Sequence, residues 1–232
     1  MKKTIFAGFI LIFWLSGFCQ PNEKLKSRKV SGFHGVKVSG GIDLFLSDGS
    51  ELVAVGALTE SLRSHIITEV VNGILRIHME KNWHQGGGNP KMRAYVSLSG
   101  LKRLGASGVC DITLQNQITA RDLLIDLSGG SNLKGKLNAN HLIINLSGGS
   151  VVDISGNVLN LEVASSGGSD LAGYGLITDY ASLLASGRSK SHLTINKELR
   201  IVASGGSDLT YKGNASVKKI ISSGSSSVTR KD

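Results

Sequence analysis

The chain has 232 residues, a formal net charge of +9 and a hydrophobic fraction of 41%. This length is enough to bury a sizeable core. After the first twenty residues no segment approaches 18 consecutive apolar residues, which excludes a later membrane span. The chain has two cysteines, one of them in the N-terminal segment described next, which excludes an intramolecular disulfide in the remainder.

Residues 1–19 carry the features of a signal peptide. Two lysines precede an apolar run from Ile5 to Leu15, and the small residues Gly17 and Cys19 stand where a signal peptidase would read them. Cleavage after Cys19 is favoured over lipidation of that residue, because the bulky Phe18 directly precedes it. The signal predicts export to the periplasm, the outer-membrane surface or the medium, and it argues against a nucleic-acid partner.

Basic residues are concentrated near both ends of the exported part. Residues 20–29 form a predicted basic linker, and the last fifteen residues are again rich in lysine and arginine. A solvated, mutually repulsive end that discourages end-to-end stacking is one explanation. Contact with anionic lipid or polysaccharide is the other.

Residues 30–100 are predicted to be a β-rich N-terminal part, either a cap or irregular first turns of the domain that follows. Alternating segments at 35–39, 42–46 and 75–79 indicate strands, and Asp48–Gly49 and Asn72–Gly73 indicate tight turns between them. Residues 57–66 are compatible with one short helix, and residues 85–90 with a loop.

From residue 101 onwards a Ser–Gly pair recurs at a nearly fixed interval. The glycines of these pairs, called the repeat glycines, are Gly108, Gly129, Gly148, Gly167, Gly187, Gly205 and Gly224. Their spacings are 21, 19, 19, 20, 18 and 19 residues. A period near twenty is typical of a solenoid, so residues 101–229 are predicted to form a right-handed parallel β-helix, with each turn about 19 residues long.

The residue types around each repeat glycine alternate with period two. Residues four before and four after it are aliphatic with a single exception, and those two after it are small. Even offsets are therefore predicted to face inward and odd offsets outward. Cys110 stands where the later turns have serine, which predicts a buried and functionally silent thiol rather than a nucleophile.

The order of these features resembles the head GIN domain family of putative auto-transporter adhesins, which is common in Bacteroidetes-type bacteria. The segments that carry the resemblance are Val30-Ser31-Gly32-Phe33, Gly41-Ile42-Asp43, the Gly-Ile-Leu-Arg-Ile strand at 73–77, residues 101–108 and the Ser–Gly repeats. Gly-Ile-Asp replaces the family's Gly-Ile-Asn. The resemblance covers roughly residues 30–225, implies an all-β, β-helix-like fold and an envelope location, and supplies no catalytic residues.

Few residues suggest chemistry. Asp170 and Asp208 share one position relative to the repeat glycine, with Lys190 at the same position in the turn between them. A charged surface row explains this pattern better than a catalytic carboxylate pair, which would lie about 9.6 Å apart. Tyr174 and Tyr211 are the aromatic residues proposed to accompany this row at the surface. No metal-ligand spacing, phosphate loop or nucleophile motif occurs, so no cofactor and no metal is expected.

The sequence thus favours a non-catalytic, adhesin-like envelope protein that presents an extended solenoid surface. Its expected ligand is a surface ligand such as a polysaccharide or an envelope protein. Two alternatives remain open. One is a carbohydrate-binding or carbohydrate-active β-helix, such as a lyase or glycosidase. The other is a structural protein that self-associates through its solenoid ends as a homo-oligomer.

Overall fold

The computed structural model describes residues 24–81, 83 and 90–231, so the predicted signal peptide and most of the predicted loop at 85–90 lie outside the described part. Within it, seventeen strands and one short helix make up the regular structure. Their bounds are Lys24–Ser27 (β1), Gly35–Ser39 (β2), Ile42–Ser47 (β3), Leu52–Ala57 (β4), Glu60–Ser64 (α1), Ile66–Val71 (β5), Ile74–Met79 (β6), Met92–Ser97 (β7), Arg103–Ser107 (β8), Asp111–Leu114 (β9), Ile118–Leu127 (β10), Asn132–Leu146 (β11), Val151–Ser165 (β12), Asp170–Ala185 (β13), Lys190–Ala203 (β14), Asp208–Lys212 (β15), Ser216–Ser222 (β16) and Ser227–Arg230 (β17).

The repeat region is a parallel β-solenoid, which confirms the predicted fold class. Strands β11 to β14 have 14 to 16 residues each. Each of them extends from one Ser–Gly corner to the next and contributes to both faces of the solenoid. Face A is formed by the strand segments that precede these corners, and face B by the segments that follow them. Every neighbouring pair in this stack is parallel, and equivalent residues near the corners lie opposite each other, as Ile125 does with Ile144 and Ile144 with Val163. The register shifts locally within the β12–β13, β13–β14 and β14–β16 pairs.

The core follows the predicted alternation. Side chains four residues before the repeat glycine are buried in six of the seven turns, from Leu104 at 1% exposure to Ile201 at 1%. Stacking aligns these positions into continuous aliphatic columns inside the solenoid, because equivalent strands lie about 4.8 Å apart. The exception is Ile220 in the last turn, which is 48% exposed because no further strand pairs with β16 on that side.

Each Ser–Gly corner stacks directly on the previous one. The repeat glycines all have positive φ. From Gly129 to Gly205, the amide of the residue after the glycine donates to the carbonyl of the repeat glycine one turn earlier, at 2.7 Å for Gly149 and Gly129. The buried serine two residues after the glycine closes the turn, as where Ser150 Oγ donates to the Ser147 carbonyl at 2.8 Å. Cys110 occupies this position in the first turn and is 1% exposed, which confirms that the thiol is buried.

The N-terminal part contributes two further parallel layers, stacked out of chain order. On face A, β2 lies between β6 and β8, and on face B, β3 lies between β7 and β9. The layer formed by β2 and β3 therefore lies between the layer formed by β6 and β7 and the layer formed by β8 and β9. The solenoid begins earlier in the chain than the Ser–Gly repeat alone predicts.

Antiparallel strands then finish this end. Strand β5 pairs with β6 through a hairpin at Asn72–Gly73, whose φ values of 53° and 73° suit the tight turn predicted there. Strand β4 pairs with β7, and β1 pairs with β4, so residues 24–27 of the predicted linker form an edge strand instead. Helix α1 begins after Thr59, whose side chain accepts from the Leu62 amide, and confirms the predicted short helix. Among the described residues, no helix has the length and hydrophobicity needed to cross a membrane.

Candidate functional site

Asp170, Lys190 and Asp208 form a row across three neighbouring strands of face B. The register places Asp170 of β13 opposite Lys190 of β14, and Lys190 opposite Asp208 of β15. All three side chains project outward, and the two aspartates lie two strand spacings apart, or about 9.6 Å. Ser227 extends the row by donating from Oγ to Asp208 Oδ1 at 2.6 Å. The charged surface row that the repeat predicts is therefore present.

Tyr174 lies on the same outward face as this row, four residues after Asp170. Its ring centroid is 5.1 Å from that of His192, and Lys212 Nζ lies 5.1 Å from the same ring. Thr194 Oγ1 donates to the Tyr174 carbonyl at 2.8 Å and so fixes the backbone beside the ring. His192 and Lys212 complete a mixed patch of acidic, basic and aromatic groups that spans three strands.

His192 and Lys212 are members of this patch that sequence reasoning missed. They follow their repeat glycines by five and seven residues, and Tyr174 follows its own by seven. Odd offsets point outward, so extending the alternation beyond the position of Asp170 would have placed all three on one surface. We define the face B patch as Asp170, Tyr174, Lys190, His192, Asp208 and Lys212.

Tyr211 does not belong to this surface, contrary to the expectation from the sequence. It is 7% exposed and packs inside the solenoid core. The physical reason is its offset of six from Gly205, which is even and therefore inward-facing, between the outward residues Thr210 and Lys212. A large aromatic residue is accommodated there near the last turn of the stack.

A second polar cluster lies at the other end of face B. Asp43 of β3 stands between Arg93 of β7 and Asp111 of β9, and Asn132 donates from Nδ2 to Asp111 Oδ1 at 2.7 Å. Burial raises the pKa of the Asp43 carboxyl, and repulsion from Asp111 raises it further. Beside it, the rings of Phe45 and Tyr95 stack with centroids 5.0 Å apart.

Face B carries its charged and aromatic groups in rows across neighbouring strands. The described residues contain no group of three or more His, Cys, Asp or Glu side chains that could hold a metal ion. The histidines that the structure does place near carboxylates, His65 with Glu80 and His78 with Glu69, lie on the N-terminal strands rather than beside the face B patch. What the surface offers is a regular array of charges and hydrogen-bonding groups repeated at the strand spacing.

These features define the class of protein as a parallel β-solenoid that carries rows of charged and aromatic side chains on its outer faces. Comparison with known families agrees with this class. Residues 32–215 match the family described as putative auto-transporter adhesin, head GIN domain, and the chain belongs to that family. The resemblance seen in the sequence is thereby confirmed. No curated protein matches the chain significantly.

Solved structures share the fold at low sequence identity. A putative adhesin from Bacteroides fragilis superposes with a TM-score of 0.80 at 17% identity, covering 91% of this chain and 98% of the other. A putative adhesin from Parabacteroides distasonis gives 0.68 at 19% identity, with 90% and 97% covered. A protein of the same organism described as a putative lipid binding protein gives 0.65 at 16% identity, with 91% and 98% covered. At these identities the likeness concerns the fold alone.

Proposed function

We propose that this protein is an exported, non-catalytic binding protein of the cell envelope that holds an extended surface ligand, a polysaccharide or an envelope protein, on face B. The family supports an adhesin-like role, and the signal-peptide features of residues 1–19 support export. Neither nucleic acid nor a cofactor has a part in this function.

The observation that carries the proposal is the in-register row of Asp170, Lys190 and Asp208 with Tyr174 beside it. Hydroxyl and amide groups of a linear ligand can meet carboxylate, ammonium and carboxylate in turn at a spacing of about 4.8 Å, with the Tyr174 ring four residues further along β13. Lys190 is exposed and Asp170, Tyr174 and Asp208 are half-buried, so each contact is weak and affinity accumulates along the row through simultaneous engagement. No single side chain is expected to dominate.

A glycan array and a pull-down with whole envelope fractions test this proposal directly. The double variant Asp170→Asn/Asp208→Asn removes the two negative charges of the row, leaves Lys190 in place and keeps the side-chain shapes, and it should weaken binding severalfold. The matched control is Asp122→Asn/Glu162→Gln, which removes two exposed carboxylates near face A and should bind as the parent does. If the parent bound no glycan or envelope component, or if both double variants bound equally, the assignment to face B would be wrong.

A carbohydrate-active enzyme is the second candidate, because the two carboxylates of the row flank one position on the surface. Their separation of about 9.6 Å lies at the upper limit of the spacing of about 6.5–9.5 Å used by inverting glycosidases. Lys190 lies between them, where a water and the scissile bond would have to be accommodated. Turnover of a polysaccharide panel by the parent, abolished in Asp170→Asn/Asp208→Asn, would replace the binding proposal with this one.

A further inference from the structure

A shallow groove runs along the outside of face A, away from the face B patch. It encloses about 710 Å³, within the range of typical ligand sites. One wall is the series of corner serines, among them Ser128, Ser147 and Ser166, and the floor is made by outward side chains three residues before each repeat glycine. The groove crosses successive turns, so its lining repeats at the strand spacing of about 4.8 Å.

The floor of this groove is one continuous column in strict register. Each member lies directly opposite the next in the strand pairing. In order along the solenoid, the members that line the groove are Arg76, Lys37, Gly105, Asp126, Asn145, Ala164, Leu184 and Val202. Ile221 continues the column beyond the groove lining. The chemistry of the column changes in one direction, from basic through polar to aliphatic.

At the aliphatic end of the column, three large apolar side chains are exposed to solvent. Leu184 is 56% exposed, Val202 36% and Ile221 47%. The three residues are consecutive in the column, and together with Ala164 they form an unbroken apolar strip about 14 Å long. Scattered surface aliphatics are ordinary, but an aligned strip inside a groove marks a surface that an apolar ligand can cover.

The opposite end is basic and open. Lys37 and Arg76 lie opposite each other on β2 and β6, and both are exposed. Gly105 has no side chain, and the stem of Lys37 leans over it: a Cβ built at Gly105 would lie 3.4 Å from Lys37 Cγ. Arg103 reaches the same place and pairs with Asp126 at 2.7 Å. This end therefore carries three cations, Lys37, Arg76 and Arg103, against the carboxylates of Asp126 and of Glu69, which lies opposite Arg76. The excess of one positive charge leaves this end attractive to an anion.

We propose that this groove binds a long-chain carboxylate, with its head group at Lys37 and Arg103 and its hydrocarbon chain along Ala164, Leu184 and Val202. Charge complementarity fixes the direction of the ligand, because the cations among the groove's lining residues, Lys37, Arg76 and Arg103, lie at the end opposite Leu184 and Val202. Arg200 and Lys219 lie beside the apolar strip but outside the lining. From Gly105 to Val202 the column covers five strand spacings, about 24 Å, which suits a chain of hexadecanoate length rather than a short acid. The site is separate from the face B patch and does not depend on the function proposed for it.

Isothermal titration of the protein with octanoate, dodecanoate and hexadecanoate, each below its micellar concentration, tests the proposal. A single saturable site is expected, with affinity that rises with chain length by at most about fourfold per buried methylene. Hexadecyltrimethylammonium has a chain of the same length with a cationic head, and it should bind much more weakly because its charge is repelled at Lys37 and Arg76.

Two leucine variants test where the hydrocarbon chain of the ligand lies. Leu184→Asp places a charge in the middle of the apolar strip and should weaken hexadecanoate binding by about tenfold or more. Leu159→Asp makes the same change at a leucine that is 44% exposed and outside the groove, and its affinity should stay within about twofold of the parent. Leu184→Ser serves the same purpose should Leu184→Asp fail to fold.

Lys37→Glu, which reverses the charge at one of the two proposed head-group contacts, tests the position of the head group. It should weaken hexadecanoate binding and strengthen binding of hexadecyltrimethylammonium. Absent binding, equal affinity for octanoate and hexadecanoate, equal effects of the two leucine variants, or binding with no fixed stoichiometry would each overturn the proposal. So would a change of oligomeric state in Leu184→Asp without any effect on ligand binding, because the strip would then be an interface between copies of the chain.

Discussion

Replacing Gly148 with alanine should destabilise the solenoid far more than the same replacement at its neighbour Gly149. Gly148 has φ of +71°, and a Cβ added there would lie 2.7 Å from the Gly129 carbonyl oxygen one turn below. That carbonyl accepts the Gly149 amide at 2.7 Å, so moving it aside weakens the hydrogen bond between corners. The side chain therefore disturbs both the backbone conformation and the contact that stacks the corners.

The magnitude follows from these two effects. A non-glycine residue in the left-handed region costs about 1–2 kcal/mol. Loss or distortion of the corner hydrogen bond adds about 0.5–1.5 kcal/mol, and the close contact adds more unless the turns separate. The expected loss is therefore about 2–4 kcal/mol, which for a chain of this length lowers Tm by roughly 5–15 °C.

Two control variants separate the contributions. A Cβ at Gly149 would approach only the Gly129 oxygen, at 3.8 Å, and the equivalent position already holds Val109 and Arg188 in other turns. Gly149→Ala should therefore leave Tm unchanged or raise it slightly. Gly100 has φ of +70° with no atom within 4 Å of a built Cβ, so Gly100→Ala should show the conformational cost alone.

Thermal unfolding followed by far-ultraviolet circular dichroism, with urea unfolding as a check, ranks the stabilities of the three variants. The expected Tm ranking is Gly149→Ala at or above the parent, then Gly100→Ala, then Gly148→Ala. Equal Tm values for Gly148→Ala and Gly149→Ala would show that the corners do not need glycine for close stacking. The physical account of the repeat would then be wrong.

Three further changes test the core, the acidic cluster and the thiol. Ile144→Asp places an unpaired carboxylate in a fully buried column and should cost several kcal/mol, against about 0.5–1.5 kcal/mol for Ile144→Val; equal Tm values would mean that this column does not face inward. Asp43→Asn should stabilise the protein near neutral pH. Because the folded-state pKa of Asp43 is raised, its ionisation costs stability as pH rises through that pKa, so the gain should vanish in acid, and a gain independent of pH would contradict this. Cys110→Ser should fold and bind as the parent does, and the native thiol should react slowly with alkylating reagents because burial raises the pKa of Cys110; rapid labelling would show an exposed site.

The repeat region could be predicted from sequence because its signal is periodic at two scales. The Ser–Gly spacing indicates the turn length, and the alternation around Ile125 and Ile144 indicates which side chains face inward. Both patterns follow from parallel stacking, in which a residue lies opposite the equivalent residue of the next strand. Cys110 was placed correctly by the same logic.

The N-terminal layers could not be predicted in this way, because they are stacked out of chain order. Ser39–Gly40 is in fact a corner of the same type, since Ser39 pairs with Ser107 and Gly40 has φ of +79°. It stands 68 residues before Gly108, and an antiparallel excursion and another layer fill the interval, so no period connects the two. The local motif was visible, but its position in the stack depends on contacts that a period cannot express.

In the candidate site, too, the positions of residues could be predicted from the repeat, whereas their side-chain contacts could not. The row of Asp170, Lys190 and Asp208 follows from equal offsets, and the inward position of Tyr211 follows from an even offset. The ring contacts of Tyr174 with His192 and Lys212 depend on side-chain rotamers and on the bend of β13, which periodicity does not determine.

Inward and outward positions also make different demands on the chain. Every inward residue packs against its neighbours in the strands above and below. A substitution there therefore lowers the stability of the stack. Exposed outward residues such as Leu184 and Lys190 are less constrained, and substituting them should change stability by no more than about 0.5 kcal/mol. Two outward columns on one scaffold, one alternating in charge and one running from basic to aliphatic, can therefore recognise ligands of different chemistry without compromising the fold that aligns them.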